Sequence, residues 1–409
     1  MQITDMTAEL LAGVRGFAPP GAAVGADALQ AAFAPHLAHA FRLSAPDAPG
    51  LHFVGAQLDV AGLGPISVGG TGLDDAAAIA GCLGEAFERL SQVDDGTVAL
   101  RRGDAPAGPA VLVRWWRDHG RGAAASPPLD WFAGHDLASG AAVEIPADLC
   151  LRRPADRQQM VADFPLSTGC AAGRSLAAAR EAAALELIER DAASLWWIGG
   201  TPAAALPAAA AASAAAMIAA LRGHAAGRRT WLLDITSDLA VPCVAALSTD
   251  PDGRGLACGL AARLDAGEAA RAALLELGQM ELALRLTRAK EAARGREALN
   301  AVERGQLDRA RAIDAAACAL LHPQRPAAAD GADTRARSLP LPGAVPLLSN
   351  LAGGTFGFDL THPRFGVAVA RLVAPGLQLL PCGHRSERLI AAAARYGDNA
   401  ALVRNLPLM

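Results

Sequence analysis

The sequence predicts an α/β (α+β) fold in which one unit recurs three times: a short strand, a glycine-rich turn and a long amphipathic helix. The first unit is "GPISVGGTGL" followed by a helix from about Asp74 to Gln92. The second is "FPLSTGCAAG" followed by a helix from about Ser175 to Trp197, and the third is "GLACGLAARL" followed by a helix from about Asp265 to Arg288. Asp74, Ser175 and Asp265 stand where N-caps belong, because their side-chain oxygens can accept from otherwise unpaired N–H groups of the first turn. The units are too far apart for a solenoid repeat. A pseudo-repeated fold around one site accounts for them better.

The remaining elements follow in chain order. Residues 1–60 form a small N-terminal α/β lead-in, with a helical start and then "LHFVGAQLDVAG" as a strand or strand pair; residues 61–409 form the main domain. "TPAAALPAAAAASAAAMIAALRG" reads as one Ala-rich helix. Residues 322–346 are rich in Pro and Arg with weak periodicity, and are expected to be an exposed loop or linker. "VAVARLVAPGLQLLPCGHRSERL" gives a strand and then a short helix. Trp196 and Trp197 end the second long helix, where core packing is expected of them rather than the lining of a peptide groove.

Composition excludes several classes. With 409 residues and 52% hydrophobic content the chain can bury a large core. A net charge of −4 gives no general attraction for nucleic acid or an anionic membrane. The apolar stretches are Ala-rich and interrupted, so no membrane span is predicted. The acidic start "MQITDMTAELLAGVRG" is unlike an export signal. Seven scattered cysteines with no C-x-x-C pair suit a reducing cytoplasm and argue against a disulfide scaffold or structural zinc. Lys290 is the single lysine, in a charged stretch that reads as a solvated helix end, and no G-x-x-x-x-G-K-[ST] loop occurs. Any phosphate chemistry therefore falls to arginines, backbone N–H groups and metal-bearing carboxylates.

Two of the long helices carry the same pentad, Glu-x-x-Glu-Arg, in "GEAFERLS" and "LELIERDA". Helical spacing puts Glu85, Glu88, Arg89 and Gln92 on one stripe, and Glu186, Glu189 and Arg190 on another. The third helix offers Glu276, Gln279 and Met280 at matching places. One reading makes each stripe a solvated face, supported by Glu–Arg pairs worth a few tenths of a kcal/mol. The other makes the helices converge, so that up to five carboxylates share one cavity. Like charges that close need a cation. Mg²⁺ suits carboxylate oxygens while leaving positions for phosphate, and Arg89 and Arg190 would clamp phosphate oxygens. Glycine-rich turns and helix N-termini would bring N–H groups to the anion. Cys82 and Cys170, near two of the turns, read as packing thiols.

"GGTGLDDAAAIAGCLGEAFERLS", "FPLSTGCAAGRSLAAAREAAALELIERDA" and "GLACGLAARLDAGEAARAALLELGQMELAL" resemble the three nucleotide-binding motifs of the YcaO family, in its order and spacing. "WFAGHDLASGAAVEIPADL" resembles the segment that precedes the second motif, and the likeness runs from about residue 60 to the end. The resemblance implies a YcaO-type fold, with the pseudo-repeated units around one nucleotide site, and ATP bound with Mg²⁺. Glu85, Glu88, Glu186 and Glu189 would hold the metal, with Glu276 nearby. Arg89 and Arg190 would act on the phosphoryl oxygens, and Gln279 would orient nucleotide or a ligand carboxylate. Gly70, Gly72, Cys82, Ser167 and Gly169 fall at the family's nucleotide contacts. The sequence departs from the family pattern at Thr71, Cys82, Thr168 and Glu281. It ends Leu406-Pro407-Leu408-Met409, without the proline-rich tail of azoline-forming members.

The resemblance further implies activation of peptide backbone amides. The expected reaction is cyclodehydration of Cys, Ser or Thr to thiazoline or oxazoline in a ribosomally made peptide. The γ-phosphoryl group of ATP would make the amide oxygen a leaving group. Two alternatives stay open: thioamide formation with an outside sulfur source, and a non-catalytic scaffold subunit. For the general base the candidates are His384 and the C-terminal carboxylate of Met409. With no obvious leader-capturing domain in the sequence, a separate leader-binding partner is expected for the precursor peptide. A flavin-dependent dehydrogenase joins it if azoles are the end product.

Overall fold

The computed structural model describes residues 3–18, 24–122, 128–225, 227–327, 343–351, 353–397 and 399. Strands β1 (Ile3–Asp5), β2 (Leu37–Ser44), β3 (His52–Val60) and β4 (Gly64–Gly72) form an antiparallel sheet in that order. Helices α1 (Thr7–Val14), α2 (Ala26–Phe33) and α3 (Asp75–Ser91) enclose a core with it that includes Leu10, Phe33, Leu58 and Phe87. β3 is one strand, and it pairs with β4 along its whole length, from His52 opposite Gly72 to Val60 opposite Gly64. The expected division at residue 60 therefore falls inside a hairpin, and the lead-in shares a sheet with the first repeated unit.

The chain then builds β5 (Arg101–Gly103), α4 (Ala110–His119), β6 (Gly120–Arg121), β7 (Leu129–Asp136), β8 (Ala142–Pro146), β9 (Val161–Ala162) and β10 (Cys170–Gly173). α5 (Leu176–Trp197) follows, then α6 (Ala208–Arg222), the antiparallel sheet β11 (Arg229–Asp234), β12 (Cys243–Thr249), β13 (Ala257–Ala262), and α7 (Ala266–Arg294) with α8 (Ala301–Ala312). β14 (Phe356–Asp359) and β15 (Ala368–Val373) return to complete a six-stranded sheet, ordered β10-β15-β14-β7-β5 with β8 on β7. A short helix, Glu387–Tyr396, follows it.

The three long helices match their predicted spans closely, and Asp74, Ser175 and Asp265 each accept from the N–H three residues on. Trp196 and Trp197 are buried as expected, with the Trp196 Nε1–H donating to Leu320 O at 3.0 Å. The Ala-rich helix is shorter than predicted. Pro207 sits at its N-cap and Ala204, upstream, makes extended bridges to Asp234 and Arg325, because a proline starts a helix better than it continues one. Lys290 does reach a partner, Glu303, through two 2.8 Å contacts. Of the expected linker, residues 328–342 lie outside the described residues, while Ala344–Ser349 is helical. No helix among the described residues is long and apolar enough to cross a membrane, and all seven cysteines are free thiols.

Each repeated helix lies flat on its own strand, α3 on β4, α5 on β10 and α7 on β13, and also touches the next unit's strand, α3 on β10, α5 on β13 and α7 on β4. The contacts close into a ring. Close approach depends on glycine. A Cβ at Gly259 would stand 2.2 Å from Leu277 N and 2.3 Å from Ala273 O, and neither backbone atom can turn aside. Gly259→Ala is expected to lower stability by about 2–3 kcal/mol. Gly84→Ala, in α3 with nothing near its Cβ position, is expected to raise it by about 0.5–1 kcal/mol. Chemical denaturation of the two variants checks the contrast.

Candidate active site

The three helices place their polar residues in a common register. Glu85, Glu186 and Glu276 each stand eleven residues past their N-caps Asp74, Ser175 and Asp265. Each also accepts from an N–H on its own unit's strand or the turn before it: Glu85 from Gly69 at 2.9 Å, Glu186 from Gly169 at 3.1 Å and Glu276 from Leu260 at 2.8 Å. Three residues further on stand Glu88, Glu189 and Gln279, and these reach toward the next unit. Glu189 accepts from Ala262 N at 3.1 Å on β13, and Gln279 lies against Gly69 of β4. One carboxylate thus ties each helix to its own unit, and the next polar residue bridges to the neighbour.

Glu88, Glu186, Glu189, Arg190, Glu276 and Gln279 line a single cleft of about 560 Å³, together with Thr71, Cys170 and Arg263. The solvated-face reading of the stripes is therefore wrong for the second and third helices and for Glu88. Glu85 stands beside the cleft and is engaged by Arg89, whose Nη2 lies 2.9 Å from Oε1. Arg190 Nη2 lies 3.5 Å from Glu186 and 3.6 Å from Glu189.

Several expected positions fall elsewhere. Gly70 and Gly72 belong to β4, where successive side-chain positions alternate, so Thr71 between them faces the cleft. A Cβ on Gly70 would meet Ala78 O and Cys82 N at 2.2 Å, so this glycine serves helix–strand contact. Cys82 is fully buried in the N-terminal core and touches no part of the cleft; burial pushes its thiol up to about 12. Ser167 and Gly169 precede β10 without lining the cleft, which takes Cys170 and Ala171 instead, and the Gly169 N–H is already given to Glu186. The helix N-termini are occupied by their caps, and the carboxylates sit about 16 Å further along each axis. Helix sides, not helix ends, build this site. Glu281 faces away, held by Arg222 and Ser248. His384 lines a different cavity, and Met409 lies outside the described residues.

Sequence reasoning missed Arg263 in the cleft wall and Arg152 near Glu88. Arg152 donates from Nε to Gln92 at 3.0 Å, and burial followed by the neighbouring Arg89 lowers its pKa. Neither arginine belongs to a periodic stripe, which is why no spacing flags it.

The electrostatics show what the cleft lacks. Four lining carboxylates face two guanidiniums. Burial, opposed by Arg190, pushes Glu186 up to about 7. Its side chain is still 24% exposed. Burial and Glu189 push Glu276 up to about 7, and burial with Glu186 raises Glu88 well above the usual carboxylate range. Oxygen donors with an excess of negative charge fit a hard divalent cation.

The profile of the YcaO cyclodehydratases, which are ATP- and Mg²⁺-binding, matches residues 69–378. The chain belongs to the YcaO family. Its cofactors are ATP and Mg²⁺. A heterocyclase in complex with substrate and cofactor is similar in fold (TM-score 0.65, 21% identity), covering 88% of this chain and 53% of that one. The chain therefore spans about half the length of that heterocyclase. YcaO from Methanopyrus kandleri, bound with AMPPCP and Mg²⁺, gives a TM-score of 0.60 at 18% identity over 96% of this chain and 94% of that one. The E. coli microcin synthetase McbBCD complex gives 0.59 at 16%, over 80% and 85%. No curated protein sequence matches the chain.

The raised carboxyls make metal binding depend on pH. Glu186 and Glu276 start from 4.5 and reach about 7 in the folded chain. Between those values the folded chain holds more protons than the unfolded one. This part of its stability is present below the lower value and is lost as pH rises through about 7. If Glu186 and Glu276 hold Mg²⁺ both must be ionised, so binding should release protons below pH 7 and tighten as pH rises, levelling above about 8. Calorimetric Mg²⁺ titrations in buffers of different ionisation heat measure this. An affinity constant across about pH 6–8 would contradict it.

Proposed function

We propose that this YcaO enzyme cyclodehydrates Cys, Ser or Thr of a ribosomally made peptide to azolines, at the cleft between α3, α5 and α7. The observation that carries the reading is the meeting of Glu88, Glu186, Glu189 and Glu276 with Arg190 in one cleft. In this proposal these four carboxylates and Glu85 hold Mg²⁺. Bound Mg²⁺·ATP supplies the phosphoryl group that turns an amide oxygen into a leaving group. Arg190, already between two carboxylates, offsets charge on the phosphoryl oxygens, and Arg89 does so from beside Glu85. Gln279 gives the site one neutral hydrogen-bonding group where the other two helices carry Glu.

The substrate is proposed to be a precursor peptide presented by a separate leader-binding protein, with a flavin-dependent dehydrogenase acting afterwards where azoles form. The E. coli microcin synthetase McbBCD, similar in fold, is a complex and has been seen with pro-MccB17 bound. Acidic clustering weighs against a scaffold role, since buried like charges are costly to keep without a cation. With peptide and partner supplied, wild type should release phosphate and remove one water per modified residue. Glu186→Gln should lose at least about 100-fold in turnover, beyond the effect of an outer-shell change. Sulfide-dependent replacement of oxygen by sulfur would instead mark thioamide formation. Equal background phosphate release in both proteins would mark a scaffold.

A further inference from the structure

Three segments distant in sequence meet at one point: the end of α4, the residue after β9, and the loop before the helix Glu387–Tyr396. They bring His119, Asp163 and Cys382 together. The short β6–β9 ladder fixes the first two, since Asp163 N donates to His119 O at 3.0 Å. His119 Nδ1 lies 2.8 Å from Asp163 Oδ1 and 3.5 Å from Cys382 Sγ. Cys382 Sγ lies 3.5 and 3.6 Å from the two Asp163 oxygens. The His119 and Asp163 side chains are only 6% and 2% exposed. Tilted and edge-on ring contacts hold the imidazole, with Trp115 at 4.9 Å, His384 at 5.0 Å and Phe164 at 5.6 Å between ring centroids.

These spacings discriminate between two chemistries. An activated thiol would have the acid on one ring nitrogen and the sulfur on the other. Here the thiol and the carboxylate both approach Nδ1, converging on one point. Tetrahedral coordination with bonds of about 2.0–2.3 Å sets ligand atoms about 3.3–3.6 Å apart. The two sulfur distances already meet that, and the nitrogen–oxygen pair needs to open by about 0.5 Å. One sulfur, one imidazole nitrogen and one carboxylate oxygen form a borderline-soft set that suits zinc and does not suit Mg²⁺. The absence of C-x-x-C spacing speaks only to ligands near in sequence, and these are not.

We propose that His119, Asp163 and Cys382 form a zinc site, with its fourth position toward the adjoining cavity of about 430 Å³ beside His384. The site clamps the loop that carries Cys382 onto the α4–β9 corner. The same loop and the helix after it are anchored to α5, because Gln378 N donates to Asp191 at 2.9 Å and Arg388 Nη2 lies 2.9 Å from the same carboxylate. Asp191 adjoins Arg190 of the carboxylate cleft, so the clamp braces the helix behind that cleft.

The test uses the full chain, untagged, incubated with zinc, gel-filtered and assayed for metal by mass spectrometry. Retention of one zinc per chain is expected. Cys382→Ser and His119→Ala should each weaken zinc binding tenfold or more, whereas Glu186→Gln, in the other cleft, should not. Cobalt substituted into wild type should give a thiolate-to-metal charge-transfer band that Cys382→Ser abolishes. Failure of wild type to retain zinc, a cobalt spectrum without a thiolate band, or zinc content unchanged by Cys382→Ser overturns the site.

Discussion

Crowding of half-buried carboxylates around the buried Glu189 is the constraint around which this protein is arranged. Three helices aim acidic side chains at one cleft where the protein supplies too few positive charges to balance them. In such surroundings a carboxylate either holds its proton or acquires a cation. The raised values of Glu88, Glu186 and Glu276 show the first response. Backbone N–H groups from Gly69, Gly169, Leu260 and Ala262 relieve part of the cost and at the same time fix the direction of each carboxylate. The rest is left for a dication to neutralise, which is how a fold can keep charge available for binding.

The same unit is used three times, and the differences between copies are informative. The cap-to-carboxylate distance is constant, so the helix pitch alone brings equivalent atoms to equivalent places. Glycines at the strand–helix contacts set how closely each helix approaches its strand. The third helix carries Gln279 and Met280 where the others carry Glu and Arg. Charge is thus concentrated on the sides of the cleft formed by the first and second helices, and the side between α7 and β4 is more neutral. A chain of phosphate groups entering such a cleft would meet carboxylates on one side and a hydrogen-bonding amide on the other.

The long helices, their caps and the acidic stripes were legible because each rests on local rules: spacing along a helix, and a cap's reach to an N–H. Glu85, Glu88, Glu186, Glu189 and Glu276 follow from those rules. What lay beyond them was set by pairing between distant segments. The turn glycines read as phosphate cradles because glycine also makes such loops; the structure uses Gly70 and Gly72 for helix packing and turns Thr71 to the cleft. Cys82 shares the helix with Glu85 but lies on its buried face. Arg263 and Arg152 act through tertiary placement alone, and the His119–Asp163–Cys382 group spans more than half the chain. The hairpin across residue 60 was hidden because composition does not change there.

The most direct test of the central claim is anomalous diffraction from crystals of the chain grown with Mn²⁺ and a non-hydrolysable ATP analogue. The account predicts a manganese peak within coordination distance of Glu88, Glu186, Glu189 or Glu276, with the analogue's phosphates beside it. Manganese peaks only elsewhere, or nucleotide bound with these carboxylates uninvolved, would contradict it.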